Sequence, residues 1–383
     1  MIRLIIKELI TDELINIRKE LHRNPELSGR ELKTAERITK ELKRCGPDEL
    51  ITQLGGTGVA AKFNSVNDSL KTILFRAELD AIAVREETGL AYSSRNSGVM
   101  HGCGHDGHMS ILLGVAKRLA KKKPANKNVW LLFQPAEETG EGAEQVLQDS
   151  KFDIVQPDFA YALHNLPGYP ENQVVVKKGV YAAASIGVQV KFKGKSSHAA
   201  YPEQGLNPSR EVSELVQFVN LEFDDFKSKN SINKVVTTYI SLGEKAFGIS
   251  PGEGEVGFTI RSSSDEELKR AVDYLRKKVL TLNEIFEGDI LFNRVEPFAA
   301  TVNDQEGVER VIASALDIGL NLKELDTPFP WSEDFGSFST RCPITLFGLG
   351  TGEHHPPLHS EKYDFNDELI QAGVKMFIDL VEK

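Results

Sequence analysis

Val129-Trp130-Leu131-Leu132-Phe133-Gln134-Pro135-Ala136-Glu137-Glu138-Thr139-Gly140 joins an uninterrupted apolar run to two adjacent carboxylates. An apolar run without polar alternation is the pattern of a strand covered on both faces. Similar runs occur at Thr72 to Phe75, Phe159 to Leu163 and Ile344 to Phe347. Helical patterns separate several of them, notably the one after Gly107 with Met109, Leu112, Val115, Ala116 and Leu119. The alternation predicts an α/β fold whose larger domain is a mostly parallel sheet flanked by helices. Upstream, Thr11 is expected to open a helix carrying Leu14, Ile17 and Leu21, and Ser28 with Glu31 reads as a capping box ahead of Leu32, Ala35, Ile38 and Leu42.

From about Ala183 the texture changes. A strand (Ile186 to Phe192), a helix (Pro208 to Phe223), two strands (Val235 to Ser241, Gly257 to Arg261), a helix (Asp265 to Phe286, capped by Ser264 with Glu267) and a strand (Asp289 to Val295) follow in βαββαβ order. That is the order of a ferredoxin-like unit. A small domain at 183–293, inserted into a larger one made of 1–182 and 294–383, accounts for it, and 383 residues exceed what one core usually serves.

The bulk chemistry excludes several function classes. A formal charge of -10 argues against a polyanionic partner such as nucleic acid, and Lys121 to Lys123 read as the solvated basic end of a helix. No apolar run is long enough to span a membrane, and Arg3, Lys7 and Glu8 interrupt the apolar start of the chain, which reads as part of the fold. Cys45, Cys103 and Cys342 are too few and too scattered for a disulfide framework, so a reducing, cytoplasmic setting is expected.

The chemistry-bearing residues gather in short segments after the apolar runs. In His101-Gly102-Cys103-Gly104-His105-Asp106-Gly107-His108, Cys103 and His105 are two apart, which in an extended loop puts both on one side. Thiolate with imidazole suits zinc or another first-row divalent ion. Alone, Cys103 would be a small buried thiol; as a nucleophile with His105 it would leave the glutamate pair without a role. Glu137 and Glu138 repel one another unless a cation or a proton separates their roles, so one is expected to ligate and the other to act as base. His164 ends an apolar run, and Gly352 to Ser360 offers His354, His355 and His359, which the sequence does not rank. Glu78 and Asp80 end another run, where a carboxylate can orient a ligating histidine.

Taken together these segments resemble the aminoacylase and carboxypeptidase family of metallohydrolases, in the branch of hippurate hydrolases and indole-acetyl-amino-acid hydrolases. The resemblance runs through His22 to Leu27, Arg76 to Ala81, His101 to His108, Gln134 to Gly140, His164-Asn165, Ser197 to Pro202, Ser332 to Phe335 and His359-Ser360. It implies that Cys103, His105, Glu138, His164 and His359 bind one or two divalent ions (Zn, Mn, Ni or Co). It also implies that Glu137 is the general base and acid, that His198 and Arg261 hold substrate, and that the inserted domain covers the site and mediates dimerisation. Asp80 and His198 join Glu137 in the expected catalytic group. Two departures stand out: Glu78 replaces the family's usual Asp, and Gly248 stands where an Asn is usual. The expected activity is hydrolysis of the amide bond of small N-acyl amino acids, the rivals being a dipeptidase and an inactive metal-binding dimer.

Overall fold

The strands Thr72–Glu78, Asn128–Gln134, Phe159–Pro167 and Ile344–Gly352 are buried along almost their whole length. Their apolar residues have no polar alternation because helices cover both faces of the sheet they form. Thr72–Glu78 pairs in parallel with Asn128–Gln134 on one side and Phe159–Pro167 on the other, and Phe159–Pro167 pairs in parallel with Ile344–Gly352. Antiparallel pairings extend the sheet through Gly58–Phe63 to Glu49–Leu54 at one edge and onto Val174–Val176 on the other side, where Leu322–Glu324 pairs in parallel as the last strand. This computed structural model describes residues 2–67, 71–223 and 233–383, the side chains of 2–11 and 222 excepted.

The helices lay apolar stripes on the sheet. Leu14, Ile17 and Leu21, Ile38 and Leu42, Leu112, Val115 and Leu119, and Met376, Phe377 and Leu380 share one buried core with Phe75, Leu131, Tyr161 and Phe347. Each large apolar side chain so buried contributes roughly 1.5–3 kcal/mol. Because the four central strands run the same way, Glu78, Gln134, Pro167 and Gly352 all end at one edge, where open α/β sheets carry their sites.

The chain divides into two units: Met1–Tyr181 with Thr301–Thr327 and Asp334–Lys383, and Ala182–Ala300 with Pro328–Glu333. The second unit has an antiparallel sheet in the order Asn233–Leu242, Glu253–Ser262, Ala184–Lys193, Asp289–Phe298. Here the pattern does alternate: Val188, Val190 and Phe192 with Val256, Phe258 and Ile260 face a core closed by Val212, Leu215, Leu268, Val272 and Leu275 of the helices Ser209–Glu222 and Asp265–Ile285. Numbered by chain position the strand order is 2-3-1-4, the ferredoxin-like topology. Ser264 caps its helix by accepting the Glu267 N–H.

Two expectations for the N-terminal region are corrected. The first helix spans Ile2–Arg23, so Thr11 lies within it and does not open it. The helix Leu32–Cys45 takes no cap from Ser28 or Glu31, and its Thr34 N–H donates to Glu26 (2.8 Å): the Ser28 hydroxyl donates to Asp80 (2.7 Å), and Glu31 accepts from the Thr57 hydroxyl (2.8 Å) and the Ala136 N–H (2.9 Å). Among the described residues no helix is long and apolar enough to cross a membrane.

The turn after the glutamate pair tolerates only glycine at position 142. A Cβ there would lie 1.7 Å from the Pro135 carbonyl oxygen, whereas one at Gly248 meets nothing within 4 Å. Gly142→Ala is expected to destabilise the protein by about 1–3 kcal/mol and Gly248→Ala by no more than about 0.5 kcal/mol, measured by urea unfolding; equal midpoints for the two variants would contradict this packing.

Candidate active site

Four chain segments meet at the carboxyl edge of the large sheet. Cys103 lies in the loop before the helix His105–Lys121. His105 is the first residue of that helix, so the pair is not carried on one side of an extended loop, as the spacing suggested. The bend between them is made by Gly104, in the left-handed region (φ 87°), where a Cβ would sit 2.5 Å from the Asn165 side-chain oxygen. Only glycine lets the loop approach that closely.

The histidines are turned by backbone carbonyls. His105 Nδ1 donates to the Asp80 carbonyl oxygen at 2.9 Å, and its Nε2 is a buried atom with no hydrogen-bond partner. His164 Nδ1 donates to the Asn165 carbonyl oxygen at 2.9 Å, and its Nε2 lies 3.6 Å from Cys103 Sγ. Both rings thus turn Nε2 inwards, the atom through which the neutral imidazole binds metals. Asp80 does more than hold His105: its Oδ2 accepts the Glu138 N–H at 2.9 Å, while Glu31 holds the neighbouring Ala136 N–H. The Glu137–Glu138 turn is therefore fixed from beneath by two carboxylates.

The donor atoms converge. Cys103, His105 and His164 offer ligand atoms within 4.8 Å of one another, as do Cys103, Glu138 and His359, and His105, Glu137 and Glu138. His359 Nε2 lies 3.6 Å from Glu138 Oε2, and its own N–H donates to the Gly102 carbonyl, tying the last loop to the Cys103 loop. Of the three imidazoles of that loop, His359 is the one placed beside Glu138. His355 Nδ1 donates to the Pro356 carbonyl and its ring packs on Tyr363, while His354 is exposed.

Electrostatics tests whether a cation fits. Burial, and then the charges of Glu138, Glu137 and Glu78, push the Cys103 thiol well above its ordinary value. Burial alone would lower His105, but Glu78, Asp80 and Glu138 push it up to about 10. His164 is pushed down to about 3 by burial and by the neighbouring His108. The protein alone concentrates acid around a sulfur and two inward-facing imidazoles, and positive charge at that spot relieves it. The mixture of sulfur, imidazole and carboxylate donors fits a first-row divalent ion.

Several participants escaped the sequence reading. Ser28 and Glu31 carried a signal, but it resembled a helix cap. His108, whose segment was noted without a role, bonds Glu78 through Nδ1 at 2.6 Å and accepts the Asn165 N–H on Nε2 at 3.2 Å. Arg76 binds Glu78 on one side and Asp334 (2.5 Å) on the other, and Gln134 braces Asp334 at 2.7 Å. His22 bonds Asp106 at 2.8 Å; although burial opposes its charge, Asp106 and Glu86 push it up to about 10.

His198 and Arg261 belong to the second unit. His198 Nδ1 accepts the Ala200 N–H at 3.0 Å, so the proton is on Nε2 of this exposed ring. Arg261 donates to the Ser332 hydroxyl at 2.9 Å and the Pro330 carbonyl at 3.3 Å.

Comparison with known proteins places this arrangement. Residues 74–383 match the family described as peptidase family M20/M25/M40. The chain is 31% identical to an N-acetyldiaminopimelate deacetylase of Ligilactobacillus salivarius, over 95% of this chain and 94% of that one. It is 30% identical to a hippurate hydrolase of Campylobacter jejuni, over 97% and 96%. Its fold superimposes with a TM-score of 0.79, at 23% identity and over 98% of each chain, on a dinuclear metal-binding peptidase of family M20 from Bacillus subtilis. The chain belongs to peptidase family M20/M25/M40 and is a metal-dependent amidohydrolase.

Proposed function

We propose that this protein hydrolyses the amide bond of N-acyl-L-amino acids, with Cys103, His105, Glu138, His164 and His359 holding one or two divalent ions and Glu137 acting as general base and acid. The observation that carries the reading is the convergence of those donor atoms beside Glu137, whose Oε2 lies 3.8 Å from His105 Nε2. The names of the relatives, a deacetylase and a hippurate hydrolase, support an acylated amino acid as substrate.

The bound cation supplies the positive charge that polarises the scissile carbonyl and acidifies water. Glu137 takes the proton of the attacking water as the new C–O bond forms, and returns it to the nitrogen as the C–N bond breaks. The products are a carboxylic acid and a free amino acid. Asp80 keeps the His105 ring and the Glu138 backbone in place throughout. His198, protonated on Nε2, is suited to donate to the oxyanion, and Arg261 to pair with the substrate carboxylate.

The proposal extends to 1–182 and 294–383 as the catalytic domain and 183–293 as a lid through which the chain dimerises. Exposed Val236, Tyr239 and Ile240 on the strand Asn233–Leu242 support an interface there. A cytoplasmic setting agrees with three free, buried cysteines.

On metal-reconstituted protein, N-acetyl- and N-benzoyl-amino acids are expected to turn over faster than aminoacyl dipeptides. Chelation should abolish the rate and Mn, Zn, Co or Ni restore it. Undiminished turnover after thorough stripping would refute metal dependence, and a preference for dipeptides would make the protein a dipeptidase.

Glu137→Gln should lower kcat about a hundred- to ten-thousand-fold with metal retained, whereas Glu138→Gln should also lose metal. Metal analysis of the two variants decides, and the opposite pattern would exchange their roles. His198→Ala should depress kcat at unchanged metal content. Mixing it with Glu137→Gln should recover part of the activity if the partner subunit delivers the histidine, and none after demonstrated subunit exchange if it does not.

A further inference from the structure

We infer that Glu78 and His108 are positioning residues that set the orientation of His164, through buried hydrogen bonds that run from the Asn165 N–H through His108 to Glu78, a carboxylate that Arg76 holds from its other side. The inference rests on the metal-centre reading proposed above and adds to it residues that bind neither metal nor substrate.

The direction of the chain follows from its one unambiguous donor. The Asn165 backbone N–H can only donate, and it points at His108 Nε2, 3.2 Å away. That nitrogen therefore carries the lone pair, and Nδ1 carries the proton, which it donates to Glu78 Oε2 at 2.6 Å. The other Glu78 oxygen accepts from Arg76 Nη1. With both nitrogens of His108 engaged, the ring has no lone pair left for a metal, although Glu78, His105 and His108 lie close enough together to suggest one. Arg76, Glu78, His108 and Asn165 are all at most 3% exposed, so no water competes for these bonds.

Asn165 is where the chain meets the candidate centre. The ladder between Thr72–Glu78 and Phe159–Pro167 ends at Arg76 and Ala162, short of this residue. Beyond it His108 holds the Asn165 N–H, the Tyr363 hydroxyl binds the side-chain nitrogen at 2.6 Å, and the carbonyl receives His164 Nδ1 at 2.9 Å. The His108 and His164 rings pack edge-on with centroids 5.0 Å apart. Ile344–Gly352 still pairs with this strand on its other side, but displacing His108 leaves the Asn165 N–H without its acceptor and loosens the peptide whose carbonyl aims His164 Nε2 at Cys103.

Glu78→Gln is a discriminating change because it is isosteric but has a single acceptor oxygen. Either Arg76 or His108 then faces an amide NH2, and the chain of donors is broken. Glu78→Asp keeps both acceptors at a shorter reach, and His108→Phe removes the link while retaining bulk.

The test is titration of the metal-free proteins with Co(II), with the visible spectrum recorded. Glu78→Gln and His108→Phe should bind Co(II) about ten- to a hundred-fold more weakly, with an altered spectrum and with kcat reduced more than KM is raised. Glu78→Asp should fall between them and wild type. Long-range 1H–15N NMR of the wild-type protein should show His108 protonated on Nδ1, a reading that survives even if a variant does not fold. Wild-type Co(II) affinity and spectrum in both variants, or a His108 proton on Nε2, would overturn the inference while leaving the proposed function intact. A wild-type protein that takes up no Co(II) would overturn both.

Discussion

Too much negative charge is buried at one edge of a sheet, and the arrangement around it answers that constraint. Glu78, Asp80, Asp106 and Asp334 are fully buried, and Glu137 nearly so. An isolated carboxylate in such a place is unfavourable by several kcal/mol. Arg76 answers Glu78 and Asp334; Arg18 and His22 answer Asp106. Burial raises the Glu78 carboxyl, yet Arg76 and His108 hold it well below the usual range. The thiol of Cys103 and the carboxylates of Glu137 and Glu138 lie together beside the imidazoles of the same cluster. A cation belongs there for the same reason that Arg76 belongs beside Glu78.

This division of labour explains why so many polar residues lie beneath the site. Glu31 and Asp80 satisfy backbone donors of the Glu137–Glu138 turn, which has left the sheet ladder, and the Ser28 hydroxyl in turn donates to Asp80. Gly104 and Gly142 are the steric counterpart, since a Cβ at either would collide with the groups the turns must approach. Rigidity is the common result. A ligand set drawn from separate loops keeps its geometry only if each loop is held from behind.

The second unit obeys a different pattern because its sheet has helices on one face. Period-two alternation over Val188, Val190 and Phe192 was therefore legible, and so was the Ser264 cap, since both are local properties of a few consecutive residues. The capping box at Ser28 and Glu31 was just as regular on paper and did not form. Residues 57, 80 and 136 claim those side chains, Glu31 keeping only the Gly29 N–H as a nearby partner, and no local pattern weighs such distant competitors.

The sequence by itself determined which segments form the central strands, where the βαββαβ order begins, and which residue types could hold a metal, because periodicity and side-chain chemistry are carried by neighbours in the chain. Only the tertiary structure decided that His359, among the imidazoles of its loop, reaches Glu138, and that His108 serves Asn165. Only it decided that Glu78 spans from Arg76 to His108. Those pairings join residues brought together by strand order and register, and the tautomer of each ring follows from which donor or acceptor it then meets. A few tenths of an ångström and the direction of one N–H separate a ligand from a support, and neither quantity exists until the strands are laid side by side.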